Sequence, residues 1–199
     1  MGRPLLTTFF VLFLFSDSFG QVQKPTITRG SGGSIQTPLG YDIVLNKEST
    51  LTREWVTVHY SNLPADIMGT VGIATAYVSG RAGGDYRYNT KFTIETREPL
   101  SAIEIRFLLF DIWGAHIKTL SMSEVQDIEG TKELSGTWNA FSENEVSEYY
   151  ASITYIARVR TKAGRVFEAD PLPVIEEARK FSKKFTSEEL EPKSRKPDN

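Results

Sequence analysis

Apolar and polar side chains alternate along most of this chain, and the alternation has the two-residue period of a strand. Val56, Val58 and Tyr60 alternate with Thr57 and His59 after Trp55, and Ser61 to Asp66, with Asn62 and Pro64, reads as a loop. Val71 to Val78 is apolar on both faces, one of them small (Gly72, Ala74, Ala76), which suits a central strand closely approached by a second layer. After a turn at residues 80–84, Tyr86, Tyr88, Thr90, Phe92 and Ile94 point one way, while Arg87, Asn89, Lys91, Thr93 and Glu95 point the other. Ile103, Ile105, Phe107 and Leu109 continue the pattern beyond Pro99.

Asp111-Ile112-Trp113-Gly114 then has the Asp-first, Gly-fourth signature of a type I turn, and His116 to Met122 is the return strand. A further strand is expected at Leu134 to Phe141. Another is expected where Ala151, Ile153, Tyr155, Ala157 and Val159 share a face, followed by a turn at Lys162-Ala163-Gly164 and a return at Val166-Phe167. Several short strands without interleaved helices predict a mostly β protein, an antiparallel β-sandwich.

One helix is expected after the strands. Val174, Ala178, Phe181 and Phe185 form an apolar stripe, Glu176, Glu177, Lys180, Lys183 and Lys184 fill the polar side, and Pro171 and Pro173 mark the start. The expected organisation is therefore a signal at 1–20, a Gly/Ser-rich flexible leader at 21–40, a β-sandwich at 41–172 with a first short strand at Tyr41 to Leu45, a helical segment at 173–190 and a disordered tail at 191–199.

The N-terminus has the three parts of a secretory signal. Arg3 supplies the charge, Leu5 to Phe15 the apolar run, and Ser18 and Gly20 the small residues before a cleavage expected at Gln21. The run is shorter than the ~20 apolar residues of a membrane span, so no stable span is expected after cleavage. The protein is expected to be exported, to the periplasm or the medium. The absence of cysteine rules out disulfides and thiolate metal sites, so stability rests on packing. A net charge of −2 gives no electrostatic case for nucleic acid.

Phe107-Leu108-Leu109-Phe110-Asp111, followed by a Gly-containing turn, resembles the F-x-L-[Y/F]-D signature of FxLYD-type domains. These are Ig-like β-sandwiches of exported prokaryotic proteins, mostly without an assigned activity. The resemblance implies an Ig-like fold and an exported location, and it carries no catalytic residues. In its own physical chemistry the motif is structural: Asp111 is placed to accept from backbone amides two residues on.

Candidate chemistry is sparse. The two histidines, His59 and His116, lack the spacing of a zinc site, and no G-x-S-x-G elbow accompanies them. Glu143, Glu145 and Glu148 read as a solvated loop before Tyr149, and no P-loop, dinucleotide or calcium-loop motif occurs, so no cofactor is expected. Aromatic residues are the positive signal for contact: Trp113 at a turn tip, and Tyr149 and Tyr150 at the start of a strand. The leading expectation is a non-enzymatic binding or structural interaction domain of the cell envelope, with a protein or polysaccharide partner. The alternatives are a carbohydrate-binding module using those rings, and a hydrolase built on a carboxylate or histidine site. Exposed rings on a face favour sugar binding, and a concave pocket holding a histidine beside a carboxylate favours an enzyme.

Overall fold

The computed structural model describes residues 24–32, 52–80 and 83–192. Their order is β1 (Thr26–Gly32), β2 (Arg53–His59), β3 (Ala65–Ile67), β4 (Ala74–Gly80), β5 (Gly83–Thr96), β6 (Leu100–Asp111), β7 (His116–Glu124), β8 (Thr131–Asn139), α1 (Glu143–Glu148), β9 (Tyr149–Thr161), β10 (Val166–Glu168), α2 (Leu172–Phe181) and a 3₁₀ turn at Ser187–Leu190. One sheet runs β1-β2-β9-β6-β7, with β10 beside the far end of β9; the other is built on β5, with β3 and β4 along one edge and β8 along the other. The protein is a mostly β sandwich with a helix at its C-terminal end.

β6 is the centre of the molecule. Its odd positions face the second sheet, where the Phe107 ring meets Phe92 and Trp138 at 5.9 and 5.0 Å between centroids. Its even positions face the C-terminal segment, where Phe110 meets Phe181 and Phe185 at 5.4 and 5.8 Å. Both faces are dry, which is why Phe107 to Phe110 is an unbroken apolar run. The fold thus has three layers: sheet, sheet, and the C-terminal segment on the outside of the first sheet. No described helix is long and apolar enough to cross a membrane.

Several expectations change. The flexible-leader reading fails at Thr26–Gly32, which pairs in register with the whole of β2. Its glycines serve contact: a Cβ on Gly32 would sit 2.6 Å from the Trp55 ring, and one on Gly30 3.5 Å from it. The loop expected at Ser61 to Asp66 already contains the start of β3. The pairing is not wholly antiparallel, because β2 runs parallel to β9, its sequence-distant neighbour. In β9 the partners of Glu104 and Ile105 are Arg158 and Ile156, so Ala157 is a bulge. Ala151, Ile153 and Tyr155 therefore face α2, while Val159 pairs with Ile103 toward the second sheet.

The C-terminal segment is not one helix. Ser182 is extended (φ −130°, ψ 101°) and ends α2, so Phe185 reaches Phe110 from a loop. Glu177, expected on the polar side, is 4% exposed and binds Arg29 of β1 and Lys180. Glu191, expected in the tail, accepts from Arg106 at 2.7 Å. The signal, the strand at Tyr41 to Leu45 and residues 193–199 lie outside the described residues.

Candidate functional site

A groove of about 480 Å³ opens where the two sheets part, on the last strand of the first sheet. Among the described residues β7 pairs only with β6, so its other edge presents backbone N–H and C=O groups without a strand partner. The groove is lined along that edge from His116 to Ser121, by Trp138 and Phe141 from the second sheet's side, and by Glu191 and Pro192 from the C-terminal segment. Its lining is mainly apolar. At one end the Trp138 indole donates to Ser121 O at 2.9 Å and closes it.

Local sequence explains the other end. Ser142 caps α1 by accepting from Glu145 N at 3.2 Å, and Glu145 Oε2 accepts from Phe141 N at 3.2 Å. The second Glu145 oxygen pairs with Lys118 of β7, whose ammonium lies 4.2 Å from the centre of the Phe141 ring. The pair ties α1 to the edge strand, while Phe141 stands 83% exposed above it. The glutamates at 143–148 are thus a helix rather than a solvated loop, and the expected absence of interleaved helices fails there. Ser142-Glu143-Asn144-Glu145 has the S-x-x-E spacing of a helix start, the one local signal for this end of the groove.

The residues singled out in the sequence have separate fates. Trp113 is 76% exposed at the tip of the β6–β7 turn. Asp111 Oδ1 accepts from Trp113 N and Ala115 N at 2.9 and 2.8 Å, which holds that turn. Tyr149 is a correction: it is 0% exposed, its hydroxyl donates to Ser152 at 3.1 Å, and burial pushes the phenol up to about 12. It is a core side chain because β9 begins beneath α1, whose carbonyl at Val146 is bonded by buried Arg53. That guanidinium lies 4.9 Å from the Tyr149 ring centre, and burial lowers its pKa. Tyr150 points the other way and donates to Glu54, which raises its phenol above the ordinary value. With Asp111, Ile112 and Gly114, Tyr150 lines a separate pocket of about 310 Å³.

His116 lines the groove and has a carboxylate beside it, while His59 lies outside it. His116 has its side chain 6% exposed, with Nδ1 3.2 Å from Glu189 and Nε2 3.0 Å from Thr119, so it fastens the C-terminal segment to β7. His59 stands between Thr28 Oγ1 at 2.8 Å and Asp66 Oδ1 at 2.9 Å, the order of a nucleophile, a base and an orienting carboxylate. The same hydroxyl also donates to the Gly69 carbonyl at 3.4 Å. The three side chains join β1, β2 and β3 at the sandwich edge. Among the described residues no group of three histidines or carboxylates could hold a metal ion.

No family model matches the chain, and neither does any curated protein. Among solved structures, a hypothetical protein of Peptoclostridium difficile 630 aligns over 64% of this chain and 96% of its own, at 10% identity and a TM-score of 0.45. A DUF1425 family member from Shewanella sp. pv-4 aligns over 63% and 94%, at 13% identity and a TM-score of 0.28. Likenesses at these scores assign neither a family nor an activity.

Proposed function

We propose that the protein is a non-catalytic binding domain that works outside the cytoplasm and receives an extended polypeptide segment along the edge of β7. The observation that carries this reading is the coincidence, among the described residues, of a strand edge without a strand partner and an apolar groove directly upon it. Strand addition draws affinity from main-chain hydrogen bonds and specificity from pockets for alternate side chains, and β7 with the Trp138–Phe141 groove supplies both. Phe141 and Lys118 form the anchor. The ring is exposed, and its mounting on the Glu145–Lys118 pair limits the ordering cost of binding. The signal pattern at residues 1–20 and the likeness of Phe107 to Asp111 to the FxLYD motif support an exported location.

The test is a displayed heptapeptide library selected on the full chain, followed by titration of a recovered peptide against ¹⁵N-labelled protein. The expected result is amide shifts concentrated on His116 to Ser121, with binding lost in Phe141→Asp. Shifts centred elsewhere, or equal binding by that variant, overturn the groove as the site. Mass spectrometry of the exported chain tests the location, with an N-terminus at or near Gln21 expected and an intact Met1 on a membrane-held chain counting against it.

A further inference from the structure

The pocket beside Trp113 shares no lining residue with the groove, and its chemistry is different. Trp55 and Trp138 are partly buried, and Gly residues make room for both rings; Trp113 stands in solvent. Its exposure is a property of a rigid mount. Asp111 binds two amides of the turn, Gly114 takes φ +81°, and a Cβ at Gly114 would lie 3.0 Å from Phe181 O, so the end of α2 braces the turn. An indole held that way is pre-ordered for a ligand that lays a flat face on it.

The residues on either side of Trp113 wall the pocket of about 310 Å³, and Tyr150 forms another part of its lining. Around them are two carboxylates, Glu54 and Asp111, and two cations, Arg29 and Lys180. These side chains are already oriented. Tyr150 donates to Glu54, and Arg29 and Lys180 both pair with buried Glu177. The two carboxylates and two cations of the lining balance in charge, which favours a neutral, hydroxyl-rich ligand over an anion or a cation. Trp113 is not itself in the lining, but its exposed indole is carried between Ile112 and Gly114 of the wall. A flat ring carried at a polar pocket suits a sugar, whose C–H face stacks while its hydroxyls bond in the plane.

We propose that this pocket is a saccharide subsite, with Trp113 as the stacking platform and Tyr150, Glu54 and Arg29 as the hydroxyl-reading groups. The site takes a neutral glycan and needs no metal. It is independent of the polypeptide groove.

The test titrates the full chain with neutral hexasaccharides of β-1,4-linked glucose, xylose and N-acetylglucosamine, read by tryptophan fluorescence and calorimetry. At least one is expected to shift the emission to the blue and to release heat at ~10–1,000 µM. Trp113→Phe removes the emission shift, and Trp113→Ala and Tyr150→Ala each weaken binding about tenfold or more. Phe141→Asp leaves saccharide binding unchanged, which separates this site from the groove. Absence of binding by all three hexasaccharides overturns the proposal, as does wild-type affinity in the Trp113→Ala and Tyr150→Ala variants.

Discussion

The β6–β7 and β9–β10 hairpins turn on nearly the same geometry. In the first, Asp111 N donates to Ala115 O at 3.0 Å and Gly114 N to Asp111 O at 3.3 Å. In the second, Thr161 N donates to Arg165 O and Gly164 N to Thr161 O, both at 2.9 Å. Each has a side-chain oxygen at the first position accepting a backbone amide, and each has glycine at positive φ, +81° and +88°. Their surroundings differ entirely. Gly114 lies under the end of α2, while nothing comes within 4 Å of a Cβ on Gly164. Local residues make a turn; what packs on it decides how firmly it is braced.

The strongest way to break the comparison is through the ring behind each turn. Phe110→Ala is expected to cost about 3–5 kcal/mol, since Phe110 is fully buried against Phe181 and Phe185, and the melting temperature should fall by ~10 °C. Phe167→Ala, at a half-buried position of the short β10, should cost about half as much by the same measurement. Equal losses would show that the C-terminal layer does not brace the first hairpin.

Alanine at the two glycines comes next. Gly164→Ala should cost ~1 kcal/mol, from the left-handed backbone alone. Gly114→Ala should cost ~2 kcal/mol, because its methyl also meets Phe181 O. Denaturant midpoints of the pair check this, and a larger loss at Gly164 would invert the argument.

The capping side chains give a smaller contrast. Asp111→Ala removes two amide bonds and should cost about 1–2 kcal/mol, while Thr161→Ala removes one and should cost about 1 kcal/mol in chemical denaturation. Smallest of all is Trp113→Ala, expected within ~0.5 kcal/mol of the parent in thermal melts. A large destabilisation there would make the indole a structural element and remove the reason to regard it as a platform.

Much of the fold is legible in the order of residues. The alternation in Tyr86 to Ile94 places a dry face where β5 packs, and the turns at Asp111 and Lys162 lie where Gly114 and Gly164 allow them. The errors have specific causes. Gly30 and Gly32 imitate a linker because composition cannot show that Trp55 lies against them. Phe185 continues a helical stripe by spacing, yet Ser182 leaves the helix, and the stripe survives only because a loop returns the ring to Phe110. Ala157 breaks the face of β9 because a bulge depends on the partner strand. Of the candidate site, Trp113 and Tyr150 are legible as aromatics near a turn and a strand start. The pocket that Tyr150 shares with Arg29 and Glu54 is not, since five segments distant in the chain contribute to it.

By itself the sequence determined a cysteine-free, mostly β chain with capped turns and an apolar stripe after its last strand, because periodicity and turn chemistry act over a few residues. The tertiary structure alone decided which strands have a partner on only one edge, which tyrosine of the adjacent pair is buried, and which turn is braced. Those outcomes depend on neighbours brought from far along the chain, through the β2–β9 pairing and the packing of α2, and no local pattern encodes them.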